Sequence, residues 1–134
     1  MIIAVDFDGT VVDHRFPEVG PDVPYAVHML HVLAGIGDQL ILWTMRSGAH
    51  LDQAVQWFAD RDIPLYGVNG NPQQHEWTTS PKAYAHVYVD DAALGCPLLH
   101  LPYFKRPCVD WKTVGGMIYE MNPVMMPALT EVTK

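Results

Sequence analysis

Two aspartates, Asp6 and Asp8, directly follow the first apolar run of the chain. That run, residues 2–5, is short and mostly branched, which is typical of a strand buried on both faces. Open α/β folds bind their ligands at the carboxyl ends of such strands. Carboxylates at this position can hold a divalent cation, and one of them can attack an electrophile. We therefore expect Asp6 and Asp8 to carry chemistry.

Other polar side chains close later apolar runs. Thr44 ends the second buried run, and Asp90 and Asp91 follow a further one. Right-handed crossovers bring the carboxyl ends of parallel strands to the same edge of a sheet. We therefore expect Asp6, Thr44 and Asp90 to converge in space although they lie far apart in the sequence.

The elements that must position these residues alternate between strand and helix. Apolar runs predict five strands, at residues 2–6, 39–44, 65–68, 85–89 and 98–101. Helical periodicity predicts three helices, at 24–34 with Asp22 as its N-cap, at 50–60, and following the N-cap Asp110. This alternation predicts an α/β fold: a three-layer α/β/α Rossmann-like domain around a mostly parallel sheet of about five strands.

Composition limits the classes of protein. The 134 residues carry a formal net charge of −7, and this length suits one domain at residues 1–122 with a C-terminal tail at 123–134. The acidic balance disfavours nucleic acid as a partner and means that a phosphorylated substrate needs a local cation. The absence of a long apolar stretch or signal peptide excludes a membrane span and predicts a cytoplasmic protein with Cys96 and Cys108 reduced.

The ordered set Asp6-Phe7-Asp8-Gly9-Thr10, Thr44, Lys82 and Asp90-Asp91 resembles the haloacid dehalogenase (HAD) superfamily. The resemblance covers residues 2–91, about two thirds of the chain. It implies a Mg²⁺-dependent phosphohydrolase that cleaves a phosphate monoester through an aspartyl-phosphate intermediate.

The resemblance also implies a role for each matching residue. Asp6 is the nucleophile, because an ionised carboxylate can attack phosphorus. Asp8 is the general acid/base, which protonates the leaving oxygen and then activates water. Thr44 donates its hydroxyl to a phosphate oxygen. Lys82, eight residues before Asp90, neutralises the phosphate.

Mg²⁺ would take carboxylate ligands from the first and the last aspartates of this ordered set. Asp6 and Asp90 are the expected ligands, and the resemblance implies that Asp8 adds its backbone carbonyl. Asp91 is either a second ligand from the same strand end or a residue that orients a metal-bound water.

Two further residues are assigned to the substrate. Arg46 could bind a phosphate or a carboxylate with its two-pronged guanidinium, although a surface ion pair would explain it equally well. Gly9 permits the tight turn after the first strand. His14 and Arg15 lie where the family has a small flap, and they either touch substrate or belong to a solvated loop.

The intervals around Thr44 leave no room for a folded cap domain, so the chain resembles the capless subgroup of the family. Its open site could be covered by a second subunit of a homo-oligomer. Two alternatives stay open: a catalytically idle relative that binds metal or a partner, and a phosphotransferase with an acceptor other than water. A signalling receiver domain fits worse, because receivers have a different order of acidic residues and lysine. The phosphorylated substrate is not identified by the sequence.

Overall fold

The first strand forms where branched apolar residues run almost without interruption at the start of the chain. The computed structural model of the protein describes residues 1–122, so the tail assigned to 123–134 lies outside the described residues. The described elements, in chain order, are β1 (Ile2–Val5), α1 (Ala26–Gly35), β2 (Gln39–Leu42), α2 (Gly48–Asp60), β3 (Gly67–Val68), a 3-10 turn (Gln74–Glu76), β4 (Val87–Val89), β5 (Leu98–Leu99), β6 (Cys108–Val109) and α3 (Trp111–Met121).

Four strands form one parallel sheet in the order β3-β2-β1-β4. Val5, the last residue of β1, pairs with Leu42 on one side and with Val89 on the other. The carboxyl ends of β1, β2 and β4 therefore lie side by side. The expected α/β fold with a parallel sheet is confirmed.

The parallel sheet has four strands because the fifth predicted strand pairs elsewhere. Leu98–Leu99 forms an antiparallel ribbon with Cys108–Val109, a strand that apolar periodicity did not reveal. Pro97 and Pro107 directly precede the two short strands, and neither can donate a ladder hydrogen bond at the strand start. The ribbon is joined to the first motif, since the Val109 N–H donates to the Gly9 carbonyl at 3.1 Å.

The first residues of α3 and α1 can be compared with the two predicted N-caps, Asp110 and Asp22. Asp110 is confirmed as the N-cap of α3, because its carboxylate accepts from the Thr113 backbone N–H at 3.4 Å. Asp22 as the cap of α1 is wrong, since the helix begins at Ala26 after Tyr25. Asp22 instead accepts from the indole N–H of Trp57 in α2 and from Arg61, the residue that follows α2. None of the helices within residues 1–122 is long and apolar enough to cross a membrane.

The main core lies on the sheet face that carries Ile3 and Val5. All three α-helices contribute to it, with Leu30 from α1, Phe58 from α2 and Ile118 from α3. Full burial of one such side chain contributes about 1.5–3 kcal/mol relative to leaving it exposed. This cluster holds the helices against the sheet and so fixes the loops that follow each strand.

The opposite sheet face is smaller and is covered differently. Ala4 and Ile41 pack there against Ala85, which belongs to the connection between β3 and β4. Within the described residues 69–86, that connection contains one 3-10 turn and no α-helix. The third layer of the domain is therefore this irregular crossover segment, which leads directly into β4 and its terminal aspartates.

Candidate active site

Neighbouring strands bring three carboxylates together at the carboxyl edge of the sheet. The Asp6 N–H donates to the Val89 carbonyl at 2.9 Å, which places Asp6 next to Asp90. Carboxylate oxygens of Asp6, Asp90 and Asp91 lie within 4.8 Å of one another. The convergence expected from parallel strand order is confirmed for Asp6 and Asp90, and Thr44 lines the same cleft.

Thr10, the last residue of the first motif, orients this cluster. Its buried hydroxyl donates to Oδ2 of Asp6 at 3.1 Å and accepts from the Asp91 N–H at 3.2 Å. The indole N–H of Trp111 donates to the Thr10 carbonyl at 2.7 Å and anchors the turn from α3. Sequence reasoning gave Thr10 no role of its own, although a hydroxyl four residues after the first aspartate was the available signal.

Gly9 provides space for Asp91 rather than a contact for substrate. Its φ is +84°, and a Cβ atom here would lie 2.3 Å from Oδ2 of Asp91. Its N–H donates to the Val12 carbonyl, and its own carbonyl accepts from Val109. Both backbone groups are thus engaged within the protein, which corrects the assignment of Gly9 to the substrate.

Burial, followed by the charge of neighbouring carboxylates, raises the proton affinity of Asp6 and Asp91. Burial, together with the charge of Asp90, raises the pKa of Asp6 to about 8. Burial also raises the pKa of Asp91, although a hydrogen bond with Asp6 acts in the opposite direction. A divalent cation would offset this repulsion, and hard carboxylate oxygens are the donors that Mg²⁺ prefers. The donor set therefore fits the expected ion.

Asp8 and Arg46 form a bidentate ion pair at the cleft wall. Arg46 Nε lies 2.8 Å from Oδ2 of Asp8, and Nη2 lies 2.8 Å from Oδ1. The remaining guanidinium donors bind the carbonyls of Pro17, Glu18 and His50. Arg46 is only 2% exposed. Both readings of Arg46 from sequence, a substrate contact and a surface ion pair, are therefore corrected: it is buried and saturated by protein groups.

Thr44 retains a hydroxyl proton that can be donated to a ligand. Its Oγ1 accepts from the Arg46 backbone N–H at 3.2 Å, so that bond uses a lone pair and leaves the proton free. Its own N–H donates to Oδ1 of Asn69 at 2.7 Å. Asn69, which follows β3, was missed by sequence reasoning; its place in an Asn-Gly pair after an apolar run was the available signal.

Lys82 does not reach the cleft. It is exposed, forms no salt bridge with any described residue, and lies with Nζ 5.4 Å from the ring centroid of Tyr88. Tyr88 precedes Asp90 by two residues, so Lys82 lies on the same sheet face as Asp90 but further from the carboxyl ends of the strands. Lys82 is therefore not among the residues that line the cleft, where it was expected. Its spacing from Asp90 could not predict this, because the irregular crossover segment sets the side chain's direction.

The side chains at the carboxyl edge of the sheet line an open cleft of about 380 Å³. A second lobe of about 330 Å³ adjoins it and is lined in part by Trp43 and Asn69. The walls of the first lobe are formed by Asp6, Asp8, His14, Phe16, Thr44, Met45, Arg46, Asp90, Asp91, Ala92 and Arg106.

Arg106 is a cation at this cleft that sequence reasoning missed. It belongs to the loop between β5 and β6, is exposed, and has no hydrogen bond or ion pair with any residue in the described range. His14 from the flap also lines the cleft, whereas Arg15 turns away and donates to the Asp13 carboxylate. Arg106 lies 15 residues beyond the last recognised motif, and its place depends on the unpredicted β5–β6 ribbon.

No family model and no curated protein matches the chain. Among solved structures, a conserved protein coded by a locus from Bacteroides thetaiotaomicron is 36% identical in sequence, with a TM-score of 0.75. The match covers 93% of this chain and 94% of that one. The chain belongs to the family of this Bacteroides protein. The two share the fold over nearly their whole lengths, well beyond the short motifs at the strand ends.

Proposed function

We propose that this protein is a Mg²⁺-dependent phosphohydrolase of the HAD superfamily, which cleaves a phosphate monoester through an aspartyl-phosphate on Asp6. One observation carries the proposal. The carboxylates of Asp6, Asp90 and Asp91 lie within 4.8 Å of one another, and Asp8 and Thr44 line the same cleft.

Asp6, Asp90 and Asp91, together with the Asp8 backbone carbonyl, would hold Mg²⁺. The bound ion supplies positive charge that offsets the carboxylates and the negative charge developing on the phosphoryl oxygens. The residues around the ligands support this role. Thr10 holds the Asp6 carboxylate in one orientation, and Gly9 leaves the room that Asp91 occupies.

The protein's own groups account for the transfer steps. An oxygen of Asp6 bonds to phosphorus while the bond from phosphorus to the ester oxygen breaks, and Asp8 gives its proton to the departing alcohol. Asp8 then takes a proton from water, whose oxygen attacks the same phosphorus. Cleavage of the bond between Asp6 and phosphorus releases inorganic phosphate, which returns Asp6 to its carboxylate form and leaves Asp8 protonated as at the start.

Substrate binding in this proposal relies on Thr44 and Arg106. The free hydroxyl proton of Thr44 is donated to a phosphate oxygen. Arg106 supplies the local cation that an acidic protein needs, in the place first assigned to Lys82. The cleft is open, which suits a bulky phosphorylated substrate or coverage by a second copy of the chain. The free thiols of Cys96 and Cys108 support action in a reducing compartment such as the cytoplasm.

A metal-binding protein without turnover is the second candidate. None of the lysines within residues 1–122 lines the cleft, which favours this candidate because HAD-type catalysis was expected to use Lys82 there. A phosphotransferase is distinguished from a hydrolase only by its acceptor.

Hydrolysis of p-nitrophenyl phosphate in the presence and absence of Mg²⁺ tests the proposal, with Asp6→Asn as the blank. The hydrolase gives sustained Mg²⁺-dependent release of phosphate that is lost in Asp6→Asn. A metal-binding protein is stabilised by Mg²⁺ against heat but releases no phosphate. A phosphotransferase releases more p-nitrophenol than phosphate when an alcohol acceptor is added.

A further inference from the structure

Arg46 is an unusual residue to find in the interior of the domain. It is 2% exposed, although arginine is rarely buried without strong compensation. Its guanidinium makes five hydrogen bonds: two to Asp8 and three to backbone carbonyls. Its carbon also lies 5.0 Å from the ring centroid of Phe7 and 5.2 Å from that of Phe16. Such saturation holds the planar guanidinium in one orientation.

This fixed guanidinium defines the orientation of Asp8. The pair uses both carboxylate oxygens at 2.8 Å, the bidentate geometry that lysine cannot reproduce. Asp8 is 12% exposed on its side chain and lines the cleft. The Arg46 backbone also bonds to Thr44, so one residue contacts two of the proposed active-site groups.

The Arg46 guanidinium also binds the flap, which comprises residues 14–18. Nη2 donates to the Glu18 carbonyl at 2.8 Å, and Nη1 donates to the Pro17 carbonyl at 3.2 Å. Phe16, half exposed, covers its outer side. His14 and Phe16 of this segment line the cleft. The flap and Asp8 are therefore attached to one rigid group.

We propose that Arg46 is a positioning residue. It holds Asp8 through one lone pair on each carboxylate oxygen, which leaves the outer lone pairs for the proton that Asp8 gives and takes, and it fastens the 14–18 flap over the cleft. The inference rests on the proposed function and adds a residue to it. Arg46 contacts neither metal nor phosphate in this scheme, because its donors are used by protein groups.

The test compares two esters that differ in their need for a proton at the leaving oxygen. p-Nitrophenolate leaves without protonation, whereas an alkoxide such as that of a simple alkyl phosphate needs it. Because general acid catalysis contributes about 10²–10⁴-fold, we expect Arg46→Gln to lower kcat on the alkyl ester by roughly 100-fold and on p-nitrophenyl phosphate by less than about 10-fold. KM changes little on either ester. Arg46→Lys recovers only part of the loss.

Arg61→Gln is the matched control. Arg61 also pairs through two nitrogens with an aspartate, Asp22, and lies 4.3 Å from the ring centroid of Trp57, but it is outside the cleft. It should lose stability without changing the ratio of the two kcat values. Phe16→Leu removes the ring that covers Arg46 and keeps the Arg46 charge. It should give a folded variant with a smaller change in the ratio of the two kcat values.

Two further measurements separate positioning from general damage. In an Asp8→Asn background, Arg46→Gln should cost little more, since residues that act as a unit are not additive. Trypsin should cut faster after Arg15 in Arg46→Gln than in Arg61→Gln, because the flap loses its attachment.

An equal loss on both esters, or full additivity with Asp8→Asn, would overturn the inference and leave the hydrolase proposal intact. If the unmodified protein hydrolyses neither ester with Mg²⁺, the proposed function fails first. The assignment of Arg46 to Asp8's proton transfer then fails with it, and only the flap attachment is supported by faster trypsin cleavage.

Discussion

Gly9→Ala is the substitution whose effect the structure defines most closely. Gly9 has a φ of +84°, and an added Cβ would lie 2.3 Å from Oδ2 of Asp91. The Asp91 carboxylate must therefore move by about 1.1 Å to reach ordinary contact at 3.4 Å. Coordination distances tolerate only about 0.2 Å, so the displacement should weaken the metal site.

The expected magnitude has two parts. A non-glycine residue at positive φ costs about 1–3 kcal/mol of stability whatever surrounds it. Displacing the ligand should weaken Mg²⁺ binding by at least about 10–100-fold, the range found when ligand support is lost. At a Mg²⁺ concentration about 100 times the wild-type Kd, the ion stabilises the wild type by about 2.7 kcal/mol and Gly9→Ala by only about 0.4–1.4 kcal/mol.

The assay is unfolding in denaturant or by heat, with and without Mg²⁺. Gly37→Ala is the matched control, because Gly37 has a φ of +101° and no atom of residues 1–122 lies within 4 Å of an added Cβ. It should lose a similar amount of stability in the absence of the ion, yet keep the full stabilisation by Mg²⁺. Equal stabilisation by Mg²⁺ in Gly9→Ala and Gly37→Ala would refute the reasoning that Gly9 makes room for a metal ligand.

Three further outcomes are expected. Arg106→Gln should raise KM for a phosphate ester by roughly 10-fold or more, as expected for loss of a charge-assisted hydrogen bond, while the neighbouring Lys105→Gln changes it little; unchanged steady-state kinetics would remove Arg106 from the substrate site. Lys82→Gln should change kcat/KM little, because Lys82 is exposed and does not line the cleft, and a loss of several orders of magnitude would show that Lys82 reaches the phosphate. Burial would by itself raise the pKa of Asp13, but hydrogen bonds from Arg15 and from the Lys105 backbone N–H lower it below its ordinary value of 3.8. Because the folded-state pKa is the lower one, this stabilisation is present above the ordinary value and is lost as the pH falls through the folded-state pKa. The excess stability of the wild type over Asp13→Asn should therefore shrink in acid. A constant difference in stability at all pH values would contradict this prediction.

Local patterns were enough to predict the strand ends that carry Asp6 and Asp90. Both aspartates follow apolar runs, and parallel strands in register place such residues beside each other whatever the loops do. The Asp110 cap was equally readable, because it depends on a hydrogen bond to a residue three positions away. These features need only the order of nearby residues.

Side chains in irregular segments were placed differently from the expectation. Arg46 and Lys82 are both basic residues near a strand end or strand start, and sequence gave each a place at the substrate. Arg46 is instead buried between Asp8 and the flap, and Lys82 lies over Tyr88. Their partners come from other parts of the chain, so spacing along the sequence could not choose among them.

The sequence by itself determined a parallel α/β domain with acidic residues gathered at one edge of its sheet, because hydrophobic periodicity and strand direction are local properties. Only the tertiary structure decided which cation faces the cleft. Arg106 reaches it because the β5–β6 ribbon bonds to the Gly9 turn. Arg46 lies in the cleft wall but has no donor left for a ligand, because burial demands a partner for every guanidinium donor. Those choices depend on packing between distant segments, which no single stretch of residues encodes.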